Sequence, residues 1–177
     1  MRIYKTKIKG LILIKSKKYF DKRGYFFESY NEKIYSKIGI KNRVLQDNFS
    51  ISKKNVLRGL HYQDKKPQGK LVSVIKGSIL DVAVDIRNNS KTYGKHQTFF
   101  LSEKNCMQIW IPKNFAHGFL TLSPNTIVNY KCTELYDPTD QKTILWNDRD
   151  LKISWPTKKP ILSKKDKKGF LFKDIVR

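Results

Sequence analysis

Acidic residues are scarce in this sequence. Only 15 of 177 residues are Asp or Glu, against 37 Lys or Arg, which leaves a formal net charge of +22 at pH 7. Histidine is scarcer, with three residues, and there are two cysteines, Cys106 and Cys132, with no CxxC spacing. No histidine neighbours either cysteine in sequence. The two thiols therefore read as small buried side chains in a reducing compartment, and not as a disulfide or a metal pair. Long apolar runs are missing too: Leu11–Ile14 is typical of the longest, far short of the ~20 residues a membrane-spanning helix needs. The start, Met1-Arg2-Ile3-Tyr4-Lys5, lacks the continuous apolar region of a secretion signal. The expectation is a cytoplasmic protein with no membrane partner.

The charge excess points first to nucleic acid. Thirty of the basic residues are Lys and seven are Arg, and they are spread along the chain beside abundant Ile, Asn and Tyr. This is the signature of a compositional bias. No zinc-finger or helix-turn-helix pattern accompanies it. We expect salt-sensitive sticking to polyanions, no specific nucleic-acid partner, and a positive field that draws in an anionic substrate. Ten Phe, nine Tyr and three Trp argue for a packed core. The length fits one domain, residues 1–177.

The periodicity is mostly that of strands. Residues 2–14 read as one or two strands broken at Gly10. Asp21-Lys22-Arg23-Gly24 is a turn before an aromatic strand over 25–30. Asn31 suits a helix N-cap, Ile34 and Ile38 share a helical face, and Gly39 can end the helix after about eight residues. From residue 44 the period is two. Strand 71–75 turns at Lys76-Gly77-Ser78 into one with Leu80, Val82, Val84 and Ile86 on one side and Asp81, Ala83, Asp85 and Arg87 on the other. Segments 97–101 and 106–111 suggest a hairpin about 102–105, and 119–122 and 126–135 another about Ser123-Pro124-Asn125. The fold class expected is all-β, a jelly-roll barrel or sandwich with one or two short helices. The Lys-rich tail, 163–177, has Phe170, Leu171, Phe172 and Ile175 to dock it.

Chemistry concentrates in residues 46–70, which contain Gln46-Asp47-Asn48, Arg58-Gly59-Leu60-His61-Tyr62-Gln63 and Gln68-Gly69-Lys70. His61 and His117 each lie near glycine, which permits close approach of a backbone or a ligand. His96, between Lys95 and Gln97, reads as surface. A jelly roll with two histidines suggests a metal cupin. However, the usual His-x-His pair is replaced by His61-Tyr62-Gln63, and no Glu occurs from Arg58 to Gly77. Two histidines do not make a tight transition-metal site, so no metal and no cofactor is expected. His61 is then available as a general base near neutral pH, oriented by a carboxylate. Lys70 could hold an enolate oxygen, and a tyrosine on the opposite face could return a proton.

At these residues the sequence strongly resembles the dTDP-4-dehydrorhamnose 3,5-epimerase family of cupin-fold sugar-nucleotide epimerases. The likeness runs through Asp21–Glu28, Gln46–Asn48, Arg58–Gln63, Gln68–Val72, Asp81–Arg87, Ile111-Pro112, Ala116–Phe119, Tyr130–Thr133, Trp146–Asp148 and Leu162–Asp166. The resemblance implies a homodimer that inverts C3 and C5 of a dTDP-4-keto-6-deoxy-hexose without a cofactor. His61 matches the catalytic base, Asp166 its carboxylate, Tyr130 the proton donor and Lys70 the residue at the C4 oxygen. His117 matches a second sugar-contacting histidine, backed by Asp81. Gln46, Asp47, Asn48, Arg58 and Lys165 fall at nucleotide-sugar contact positions. Arg23, Phe26 and Glu28 match a segment that crosses from the partner subunit, with the N-terminal strands exchanged. Gln141 stands where the family usually has a Glu contact. Alternatives are a 3- or 5-monoepimerase of another 4-keto sugar nucleotide, a metal-dependent cupin oxygenase and a basic nucleic-acid-binding protein.

Overall fold

The structure, a computed structural model, describes residues 1–175. In chain order its elements are β1 (Arg2–Tyr4), β2 (Ile12–Lys15), β3 (Tyr19–Asp21), β4 (Gly24–Phe26), α1 (Glu32–Lys37), β5 (Gln46–Ser52), β6 (Leu57–Gln63) and β7 (Lys70–Lys76). They continue with β8 (Ser78–Asp85), β9 (His96–Ser102), β10 (Met107–Ile111), β11 (Phe115–Thr121), β12 (Thr126–Cys132) and β13 (Gln141–Thr143). Two single 3-10 turns follow, Asp166–Lys168 and Phe172–Asp174.

Two antiparallel sheets face each other, in the order β1-β2-β10-β7-β12-β5 and β13-β6-β11-β8-β9. This is the cupin-type jelly roll. Val72, Val74, Ile109, Ile111 and Val128 of the first sheet meet Ile79, Ala83, Leu101, Phe115 and Phe119 of the second in the main core. The outer face of the second sheet is buried as well. Leu60, Val82, Val84, Ile86 and Ala116 lie under Trp155, Phe170, Phe172 and Ile175 of the C-terminal segment. That explains β8, whose two faces are both buried: the apolar set packs outward under the tail, and Asp81 and Asp85 point the other way with no exposure. Of the tail anchors expected, Leu171 is exposed, and residues 176–177 lie outside the described residues.

Helix α1 covers part of the first sheet's outer face, packing Tyr35 and the following Ile40 against Ile14, Leu71 and Trp110. Asn31 caps it by accepting from the Ile34 N–H, and Gly39 lies at φ +96 as the sequence suggested. The helix is shorter than expected, at six residues, and the aromatic strand ends at Phe26 rather than Tyr30.

The expected hairpins are corrected more substantially. β9 and β10 do not pair, nor do β11 and β12, and β7 and β8 likewise lie in different sheets. Each tight turn carries the chain from one sheet to the other. Glycine at 59 enables a close approach. It sits at φ +127, and a Cβ there would lie 2.5 Å from Gly118 Cα and 2.8 Å from the His117 carbonyl oxygen. Both neighbours are backbone, so β6 and β11 meet closely only with glycine at this position. Gly59→Ala should therefore destabilise the fold by about 3 kcal/mol or more, read as a lowered urea midpoint at unchanged m-value.

Candidate active site

The register that follows from this contact puts His61 opposite His117 on the β6–β11 pair, with Thr143 of β13 opposite His61. Directly opposed residues share a face, and here that face looks into a cavity of about 370 Å³ between the sheets. On the other sheet, Tyr130 of β12 lies opposite Asn48 of β5, and both line the same cavity.

Each histidine is held by a carboxylate. His61 Nε2 is 2.5 Å from Asp166 Oδ1, and His117 Nε2 is 2.7 Å from Asp81 Oδ2. A carboxylate only accepts, so each Nε2 carries the hydrogen and each Nδ1 keeps a basic lone pair. Asp166 arrives on a short strap of chain. Its ends are fastened by the parallel bridges Val56↔Ile161 and Ile144↔Phe170. Within the strap, the Asp166 N–H donates to Ser163 Oγ at 3.0 Å.

Strand alternation sorts the β5 cluster. Gln46 and Asn48 face the cavity and bond to each other at 2.8 Å, and the Tyr136 N–H donates to Gln46 Oε1 at 2.7 Å. Asp47 faces outward. It accepts from Lys131 Nζ at 2.6 Å and Asn129 Nδ2 at 2.7 Å, so the expectation that it lines the site is corrected. Arg58 Nε donates to Ser52 Oγ at 3.2 Å, and Arg58 lines the cavity with Lys165. Asp166 is the only carboxylate among the lining residues. Such a wall suits a multiply anionic ligand.

Comparison with known proteins shows the family of the chain. The sequence matches the family described as dTDP-4-dehydrorhamnose 3,5-epimerase over residues 5–174. A protein of that name from Methanothermobacter thermautotrophicus is 52% identical over 169 residues, covering 94% of this chain and 91% of the relative. The fold superposes with TM-score 0.96 and 47% identity on dTDP-6-deoxy-D-glucose-3,5-epimerase from Legionella pneumophila in complex with dTDP-4-keto-L-rhamnose, over 99% of this chain and 94% of that one. A 3'-monoepimerase from Streptomyces bikiniensis, solved with dTDP-quinovose, aligns at TM-score 0.88 and 27% identity over 94% and 85% of the two chains. The chain belongs to the dTDP-4-dehydrorhamnose 3,5-epimerase family.

In this epimerase-family chain, Gln46, Asn48, Arg58, His61, His117, Tyr130, Gln141, Lys165 and Asp166 come together around one cavity, as the sequence suggested. Gln68, Phe119, Tyr136 and Ser163 join them and were not picked out as site residues. Gln68 stood inside a recognised motif. Tyr136 lies beyond the strand that carries Tyr130, where no periodicity marks an inward side chain. Lys70 and Asp81 stand just behind the lining, at 8% and 0% exposure. Arg23, Phe26 and Glu28 do not line the cavity. Arg23 pairs with Asp21 at 2.6 Å on the exposed β3–β4 hairpin, and Glu28 accepts from Asn31. Among the described residues no group of three or more His, Cys, Asp or Glu could hold a metal ion.

Burial pushes the His61 imidazole below its ordinary range, and Lys70 and His117 push the same way against the Asp166 bond. For Asp166, burial raises the carboxyl, but the His61 and Ser163 hydrogen bonds and the His61 and Arg58 charges outweigh it and hold it low. Burial raises the Tyr130 phenol, so it stays protonated at neutral pH. Because a base works only when unprotonated, the acid limb of kcat/KM should fall below pH 6.5. Asp166→Asn removes the influence that raises His61. We expect kcat to drop by about 100-fold or more and the acid limb to move further down, both visible in a pH–rate profile.

Proposed function

We propose that this enzyme inverts C3 and C5 of dTDP-4-dehydro-6-deoxy-D-glucose, giving dTDP-4-dehydro-L-rhamnose. The observation that carries the reading is that His61, with its Asp166 partner, and Tyr130 reach one cavity from opposite sheets. A ketose bound between them presents opposite faces of one carbon to a base and to an acid.

The C4 ketone acidifies the hydrogens on both flanking carbons. His61 Nδ1 takes one proton, and the electron pair moves onto the C4 oxygen as an enolate. The ammonium of Lys70, buried beside the cavity, stabilises that charge. Tyr130 gives a proton to the other face of the same carbon, so the configuration inverts. Solvent reprotonates the phenolate and takes the proton from the imidazolium, and the cycle repeats at the second carbon. Oxidation state is unchanged, so no redox cofactor enters. Arg58 and Lys165 would hold the diphosphate, while Gln46, Asn48, Tyr136 and His117 would hold sugar and nucleoside groups.

The working unit we infer is a homodimer. Phe20 and Phe26 on the β3–β4 hairpin are 74% and 68% exposed, and Phe49 and Ile51 on the outer face of β5 are 64% and 70% exposed. Exposed large apolar side chains of this kind suit a subunit interface. They fit the assignment of Arg23, Phe26 and Glu28 to the partner's site, while β1 and β2 are paired within this chain's own sheet, β1 to β2 and β2 to β10. Sedimentation should give twice the chain mass, and Phe26→Asp should shift the protein toward monomer with a raised KM. Two free, buried cysteines fit a cytoplasmic setting. Inversion at one carbon is the second reading, favoured by the likeness to a 3'-monoepimerase and by the neutral Gln141 at the cavity wall.

Heavy water decides between these readings. Turnover of the dTDP-linked 4-keto sugar should place deuterium at both C3 and C5, whereas a monoepimerase labels one. His61→Ala should lower turnover by about 1,000-fold or more. Tyr130→Phe should still exchange substrate hydrogen with solvent but invert about 100-fold more slowly. Normal activity in His61→Ala would refute the assignment.

A further inference from the structure

Lys70 begins β7, is 8% exposed, and has no side-chain hydrogen bond or ion pair among the described residues. A buried ammonium without a counter-charge is strongly disfavoured. Behind the cavity there is also an anion half in use. Asp81 points inward from β8 with no exposure. Its Oδ2 binds His117, and its Oδ1 has no hydrogen-bond partner among the described residues.

We propose that Asp81 is the counter-ion that keeps Lys70 charged, in addition to orienting His117. This rests on the epimerase reading for its catalytic meaning, though not for its geometry. Among the described residues, the groups that face Lys70 leave Asp81 as the source of negative charge. From β12 comes Cys132, in register with Lys70, whose thiol is pushed up by burial and is neutral at neutral pH. From β10 comes the apolar Ile111. From β6 comes His61, which bears either no charge or a positive one. The other nearby carboxylates are engaged elsewhere: Asp166 with His61, and Asp47 with Lys131 on the outer face.

The electrostatics point the same way. Burial drives the Lys70 ammonium below the usual lysine range, and Cys132 and Asp81 work against it. With Cys132 neutral, Asp81 carries that opposition. One carboxylate thus serves two side chains, bonding His117 through Oδ2 and acting on Lys70 through its charge. Asp81 is a positioning residue here, because it acts on the substrate through Lys70 and His117.

The test follows the Lys70 Cε resonance by carbon-13 NMR from pH 6 to 11 in the full-length protein, with the signal assigned by Lys70→Met. The variants are Asp81→Asn, which removes the charge, and His117→Gln, which removes the other partner of Asp81. The Lys70 midpoint should fall by about one pH unit or more in Asp81→Asn, a tenfold change in acid strength, and stay near wild type in His117→Gln. Equal shifts in both variants, or none in Asp81→Asn, would overturn the proposal. Should Asp81→Asn not fold, Asp81→Glu keeps the charge and should keep the midpoint while kcat falls; a lowered midpoint there would overturn it equally. The titration needs no substrate. A negative result leaves the epimerase reading standing, and an inactive enzyme leaves the titration readable.

Discussion

His61 and Asp166 are 105 positions apart in the chain, and the 2.5 Å bond between them decides what the cavity can do. It selects the tautomer of His61 and leaves Nδ1 as the basic nitrogen of a side chain that lines the cavity. Everything that fixes Asp166 therefore fixes His61. Leu57 N–H donates to the Ile161 carbonyl and Ile161 N–H to the Asn55 carbonyl, which fastens one end of the strap. Leu145 N–H to Phe170 and Phe170 N–H to Thr143 fasten the other. Gly169 sits against backbone so closely that a Cβ would lie 2.8 Å from the Leu145 nitrogen. The tail aromatics that bury the outer face of the second sheet hold the same segment in place. Core packing on one face of that sheet and the His61–Asp166 pair on the other are thus parts of one attachment.

A two-sheet sandwich also separates the proposed base from the proposed acid. His61 and His117 belong to one sheet and Tyr130 to the other, so a sugar ring bound between the sheets would have an imidazole on one side and a phenol on the other. Inversion at carbon needs that opposition, whereas removal and return of a proton on one face would restore the starting configuration. The gap is kept open at this end because the inward residues are polar: Gln46, Asn48 and Arg58 replace the Val, Ile and Leu that fill the space elsewhere. The core and the cavity occupy the same interlayer space, and the inward side chains at each position decide which of the two forms.

Strand identity, the Asn31 cap and the glycine breaks were legible because they depend on residues near one another in sequence. Which strand pairs with which was not. Lys76-Gly77-Ser78 and Ser123-Pro124-Asn125 turn the chain tightly whether the next strand joins the same sheet or crosses to the opposite one, and turn chemistry alone does not distinguish these outcomes. Crossing becomes visible only through the partner strands, such as β10 between β2 and β7. Asp47 shows a similar limit at smaller scale. It sits in a polar triplet whose other members face the cavity, and period-two alternation turns it outward to Lys131. Alternation applied to the triplet itself would have placed it there. Asp166 was found through family likeness, because nothing local separates it from the lysines on either side.

The excess of positive charge becomes informative once the carboxylates are located. Of the few acidic residues, Asp166 and Asp81 each serve a histidine, Asp85 is clamped by Arg87, Ser90 and Thr92, and Asp148 caps three backbone N–H groups at 150, 151 and 172. Asp140 likewise accepts from the backbone at 65 and 66. These acids are engaged inside the structure, so they do little to offset the lysines outside. The cavity inherits the imbalance: Arg58 and Lys165 face it, while its one lining carboxylate is already bound to His61. A ligand that neutralises this wall must bring its own negative charges, as the diphosphate of the proposed substrate would. On the proposed reading, the field that would recruit a diphosphate would also lower the energy of an enolate formed next to it, so binding and catalysis would draw on one electrostatic arrangement.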